Sequence, residues 1–194
     1  MELYFADERT CRDQATPLPL EGLCLLEPAV TESAPHARFS YFHDERAFDA
    51  LGLPRIVQQH ASRYAPRHTV RGLHFQTVPH AQTKIVGVAH GRIHDVVVDV
   101  RRASPTFGRH VAVELVAGWR RLVVPRGFAH GFCTLEPDTE VVFALSDFNT
   151  TDLLRGLQWN DPELGIEWPC ADAPALLFDI DRGWPALRVL DAPF

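Results

Sequence analysis

From about Val70 to Leu145 the chain is a succession of short apolar runs, each closed by turn-forming residues. The runs cover residues 84–88, 93–100, 110–115, 121–124, 128–135 and 140–145, and the breaks at 89–91, 104–108, 117–118, 125–127 and 136–138 hold most of the intervening Gly and Pro. Segments this short and this closely spaced leave no room for crossover helices. The pattern therefore predicts an all-β sandwich or barrel rather than alternating β–α units. In residues 110–115, Val111, Val113 and Leu115 fall on one face and His110, Ala112 and Glu114 on the other, as in a half-buried strand. In 93–100 the same alternation puts Asp95 and Asp99 beside Ile93 and Val97, so two carboxylates either line a lumen or face solvent.

The peripheral elements are fewer. Residues 45–51 read as a short helix with Asp44 as its cap and Gly52 and Pro54 as its stop. The 194 residues fit one domain: a strand and helix region over 1–55, a core barrel over about 56–148, and a segment over 149–194 that returns over the barrel. With 46% hydrophobic and 23% charged residues the chain is not a disordered one, and a net charge of −6 offers no global field for nucleic acid or an anionic membrane. No apolar run approaches the roughly 20 residues of a membrane span, and the first nine residues are too acidic for a secretion signal. Cys11, Cys24, Cys133 and Cys170 lack CxxC spacing, which predicts free thiols and a cytoplasmic protein.

Three stretches carry candidate chemistry. The first, Arg71-Gly-Leu-His74, sets a guanidinium and an imidazole near the start of a strand, with Lys84 heading the next. Histidine is the natural base for a proton on carbon beside a ketone, and a lysine can hold the resulting enolate charge, although a lone strand histidine is more often structural. The second, Pro125-Arg-Gly-Phe-Ala-His130, has the P-x-G-x-x-H spacing of the second cupin motif, but His74-Phe75-Gln76 stands where metal cupins carry H-x-H. One imidazole does not make a metal site, so no metal and no other cofactor is expected. The third, residues 147–168, reads as a loop folding over the barrel mouth.

Taken together, residues 20–185 resemble the dTDP-4-dehydrorhamnose 3,5-epimerases and their relatives, cupin-fold sugar-nucleotide epimerases of deoxysugar pathways. The resemblance rests on Gly22 to Pro28, Val57-Gln58, Arg71-Gly-Leu-His74, Pro79-His-Ala-Gln-Thr-Lys84, Gly91 to Val100, Ser104-Pro-Thr-Phe-Gly108, Pro125 to Phe132, Arg155-Gly156 and Asp161 to Pro169. It implies a cupin, or jelly-roll, β-barrel with a few short helices, a homodimer, and a dTDP-4-keto-6-deoxyhexose-type nucleotide sugar as ligand. By similarity His74 is the base and Asp181 its carboxylate partner, while Lys84 and His130 face the C4 oxygen. Arg71 looks like a diphosphate ligand and Gln58 like a nucleotide contact.

The departures from the family pattern are as informative. The tyrosine expected to deliver a proton to the opposite sugar face is Phe143, a second expected tyrosine is Asn149, and His60 replaces a usual asparagine. The family stretch Asp-x-Arg-Gly-Phe-Phe-x-Glu is absent from residues 33–41, where Arg38 is the candidate to reach a neighbouring subunit's diphosphate. The expectation is an epimerase acting at C3, C5 or both, either at a single centre or with water or another side chain reprotonating in place of the missing phenol. Two alternatives remain open: a cupin recruited to another reaction on an enolisable ketone, such as isomerisation, dehydration or natural-product tailoring, and a non-catalytic sugar-nucleotide binding protein.

Overall fold

The computed structural model describes residues 13–34, 37–170, 175–191 and 194. The acidic N-terminus, Cys11 and the loose stretch at 171–174 lie outside them. In chain order the elements are β1 (Gln14–Pro17), β2 (Cys24–Glu27), β3 (Thr31–Ala34), β4 (Ala37–Phe39), α1 (Glu45–Ala50), β5 (Gln58–Tyr64), β6 (Thr69–Gln76), β7 (Lys84–His90), β8 (Arg92–Asp99), β9 (His110–Val116), β10 (Arg121–Val124), β11 (Phe128–Thr134), β12 (Thr139–Leu145), β13 (Leu154–Gly156) and β14 (Leu176–Leu177). One sheet has the order β1-β2-β10-β7-β12-β5, the other β13-β6-β11-β8-β9 with β14 added parallel to β6, and β3 and β4 form a separate hairpin. This is the expected all-β cupin architecture.

Alternation along the strands builds three apolar layers. Val86 and Val88, Ile93 and Val97, Phe128 and Phe132, and Val141, Phe143 and Leu145 point between the sheets and form the central core. The opposite residues of the second sheet, among them Val96, Val98, Ala129 and Cys133, are covered from outside by Leu157, Leu164, Trp168 and Leu190. The outer face of the first sheet, Leu26, Ile85, Val123 and Ala144, is covered by Phe48 of α1. Asp44 caps that helix by accepting from the Arg46 amide at 2.9 Å, as the sequence predicts.

One expectation changes and one open alternative is decided. Residues 157–170 pack on the outer face of the second sheet rather than over the barrel mouth, because Leu157, Leu164 and Trp168 are the apolar cover that face requires. Only the part of this stretch from Asn149 to Leu154 reaches the cavity. The two carboxylates of β8 share the inward face of Ile93 and Val97 and are not solvated: Asp95 and Asp99 are fully buried and paired. Asp99 accepts from Arg101, Ser104 and Thr106, with the Arg101 Nη2 at 2.8 Å. Burial works against its charge, yet these donors hold its pKa down at about 2.

Candidate active site

A cavity of about 330 Å³ opens between the two sheets, within the size range of small-ligand sites. Arg71 and His74 both line it, although a spacing of three would put them on opposite faces of a regular strand. A register shift makes this possible. β11 pairs His130 with His74 but Phe132 with Arg71, so β6 carries one extra residue between them. Gly72 takes φ +106° at the bulge, and a Cβ there would stand 2.7 Å from the Gly131 Cα and the His130 carbonyl. Glycine is required at 72 both for its backbone conformation and for that close approach.

Asp181 is brought to His74 by the parallel pairing of β14, in which Leu177 lies beside Val70. The 3-10 turn Asp179–Arg182 follows and buries Asp181 completely. Its two carboxylate oxygens divide between two donors: Oδ1 accepts from His74 Nε2, and Oδ2 from Arg71 Nε at 2.8 Å. An ionised carboxylate only accepts, so Nε2 carries the imidazole proton and Nδ1 is left as the basic nitrogen. Burial tends to raise the Asp181 pKa, but the bonds from His74 and Arg71 outweigh it and hold the carboxyl below its usual range. Burial also dominates at His74 and lowers its pKa below 6.5, with Asp181 pulling back and Lys84 and Arg71 adding to the fall. The imidazole is therefore neutral at pH 7 and able to accept a proton.

Trp184 holds the outer side of this pair. Its indole ring meets His74 edge-on with centroids 5.8 Å apart, and it fills the space over Gly156, where any Cβ would collide with the ring at 2.2 Å. Gly156 is itself the β13 partner of His74. Nothing in the sequence analysis singled out Trp184, because its contact exists only once three separate segments meet.

Lys84, heading β7 on the facing sheet, donates to the His74 carbonyl at 3.0 Å. Burial lowers its pKa to about 8, with Asp95 opposing, so it stays largely cationic at neutral pH. His130 is buried on β11 and its Nε2 donates to both oxygens of Asp95, at 2.9 and 3.0 Å. That pairing gives the buried Asp95 its function as an anchor for the ring. Across the cavity, His60 of β5 and Phe143 of β12 are cross-strand partners with stacked rings, centroids 5.0 Å apart and planes 18° apart.

The remaining sequence candidates are placed more peripherally. Asn149 lines the cavity and accepts from Gln82 at 3.1 Å, while Gln58 lies beside it and accepts from the Asn149 amide at 2.9 Å. Arg38 lies exposed on β4, outside the set of residues that line the cavity. Tyr64 was missed as a site residue: it lines the cavity and its hydroxyl accepts from Arg71 Nη1 at 3.3 Å. The signal for it was the alternation His60, Ser62, Tyr64, all three on the cavity face. Among the described residues no three His, Cys, Asp or Glu side chains converge as metal ligands.

Two antiparallel sheets around a polar cavity define a cupin fold, and the cavity walls bring together an imidazole on a buried carboxylate and a lysine. Residues 17–188 match the family model described as dTDP-4-dehydrorhamnose 3,5-epimerase. A dTDP-4-dehydrorhamnose 3,5-epimerase of Pseudomonas aeruginosa is 42% identical over 181 residues, covering 92% of this chain and 98% of that protein. The structure of the Bacillus anthracis dTDP-4-dehydrorhamnose 3,5-epimerase with TDP and PPi bound superposes with a TM-score of 0.84 at 39% identity, covering 90% of this chain and 99% of the other. A 3′-monoepimerase from Streptomyces bikiniensis in complex with dTDP-quinovose gives 0.80 at 32% identity, over 89% and 87% of the two chains. The chain belongs to the dTDP-4-dehydrorhamnose 3,5-epimerase family and is a sugar-nucleotide epimerase, an isomerase.

Proposed function

We propose that the protein epimerises a dTDP-4-keto-6-deoxy sugar at C3, C5 or both, by removing the proton next to the C4 ketone. The observation that carries this reading is the His74–Asp181 pair facing a cavity that Lys84 also lines. In the forward step His74 Nδ1 takes the proton, Asp181 stabilises the imidazolium that forms, and the Lys84 ammonium stands ready for the enolate oxygen. The remaining guanidinium nitrogen of Arg71, Nη2, and the rim residues Gln58 and Asn149 are the proposed contacts to diphosphate and nucleotide. His130, fixed by Asp95, is the proposed second donor near the ketone. Phe143, which has no hydroxyl, favours inversion at a single centre over two. The working form is proposed to be a cytoplasmic homodimer in which Arg38 reaches the partner's diphosphate.

The test is incubation with dTDP-4-keto-6-deoxyglucose in D₂O, reading deuterium at C3 and C5 by NMR and mass spectrometry. Wild-type protein is expected to incorporate deuterium at one or both carbons, and His74→Asn to lose incorporation while keeping its affinity for the nucleotide. Exchange that persists in His74→Asn would remove the proposed base. No exchange by the wild-type protein would redirect the reading to another substrate.

A further inference from the structure

Inverting a carbon beside a ketone needs two proton carriers, because the proton that leaves one face must be replaced from the other. His74 is the carrier on the second sheet. The facing wall is made by β5, β7 and β12, and Phe143 of β12 has no proton to give.

The other titratable side chains of the cavity are engaged elsewhere. Tyr64 is tied to Arg71, at the end of the cavity where Asp181 lies. His130 is the direct cross-strand partner of His74, on the same sheet, and holds Asp95. Lys84 rests on the His74 carbonyl and is already assigned, in the reading above, to the enolate oxygen.

His60 stands apart from these. It is on the sheet facing His74, it lines the cavity, and its ring lies flat on Phe143. Neither of its ring nitrogens hydrogen-bonds to another described residue, and the residue is exposed.

We infer that His60 is the proton donor to the sugar face opposite His74, supplying from β5 what a phenylalanine at 143 cannot. The inference rests on the epimerase reading above. The C–H bond on the His74 side breaks, its proton goes to Nδ1 and its electron pair moves into the enolate held at oxygen by Lys84. The enolate carbon then forms a new C–H bond with the proton of the His60 imidazolium, and the oxygen returns to a ketone. His74 loses its proton to solvent and His60 regains one, so no oxidant or reductant takes part. Burial and the charge of Lys84 lower the His60 pKa below its usual value, so its imidazolium is the minor form at neutral pH and the stronger acid when it forms. The stack on Phe143 fixes the ring plane and so limits the directions in which it can donate.

The experiment separates enolisation from inversion. Wild-type protein, His60→Asn and Tyr64→Phe are incubated with dTDP-4-keto-6-deoxyglucose in D₂O, and both deuterium entry and the inverted product are quantified. His60→Asn is expected to keep deuterium entry, which also reports a folded site, while inverted product falls by about 10²–10⁴-fold. Adding Phe143→Tyr to His60→Asn is expected to restore inversion. An unchanged ratio of inversion to exchange in His60→Asn, or an inversion defect confined to Tyr64→Phe, overturns the inference and leaves the epimerase reading intact. No exchange by wild-type protein overturns both.

Discussion

His74 and Lys84 set opposite limits on the pH range in which the site can enolise its substrate. The His74 pKa is depressed below 6.5, so the base is lost only as pH falls through that lowered value. Lys84 is held at about 8, so the cation needed at the enolate oxygen disappears as pH rises past it. The rate of deuterium entry is therefore expected to rise on a limb below 6.5, reach a plateau near neutrality and fall around 8. Replacing Lys84 by Met should remove the alkaline limb together with most of the rate, which initial exchange rates across a buffer series would show. Of these residues, His74, Lys84, His130 and Asp181 were legible from the sequence through the family resemblance. Trp184 and Tyr64 were not, because a contact to a ring or a guanidinium on another segment leaves no mark in local pattern.

At the scale of elements, the period of two gave the central strands nearly to the residue, with 121–124 matching β10 in full. The alternation in β9 also held, with Leu115 buried in the central core and Val111 and Val113 packed against it. β5 escaped because Gln58–Tyr64 faces a polar cavity, so its inward positions are His60, Ser62 and Tyr64 instead of aliphatic residues. The bulge in β6 escaped for a different reason: it depends on Gly72 and Gly131 meeting across two strands. Gly72→Ala would add a Cβ against backbone at a positive φ. We expect a loss of about 1–3 kcal/mol in denaturant unfolding, together with loss of exchange activity as Arg71 and His74 fall out of phase.

For the whole molecule, two sheets close a core while α1 and the C-terminal segment each cover one outer face, and the cavity is left where the inward alternation turns polar. Light scattering is expected to give twice the 21.8 kDa chain mass for the proposed homodimer. Arg38, exposed on its own hairpin, is then the residue to test across the interface: Arg38→Ala should raise KM for the nucleotide sugar and leave kcat nearly unchanged. A monomer in solution, or a kcat effect without a KM effect, would remove Arg38 from the proposed diphosphate contact.

The sequence by itself determined the all-β class, the strand phases and the residue types capable of enolisation, because hydrophobic periodicity and turn chemistry act over a few neighbouring residues. Tertiary structure decided which of those residues share a site. A one-residue bulge turned Arg71 and His74 to the same face, and a parallel strand pairing carried Asp181 across 107 positions to His74. Both depend on backbone hydrogen bonds between segments distant in the chain, and no local pattern encodes such a partner.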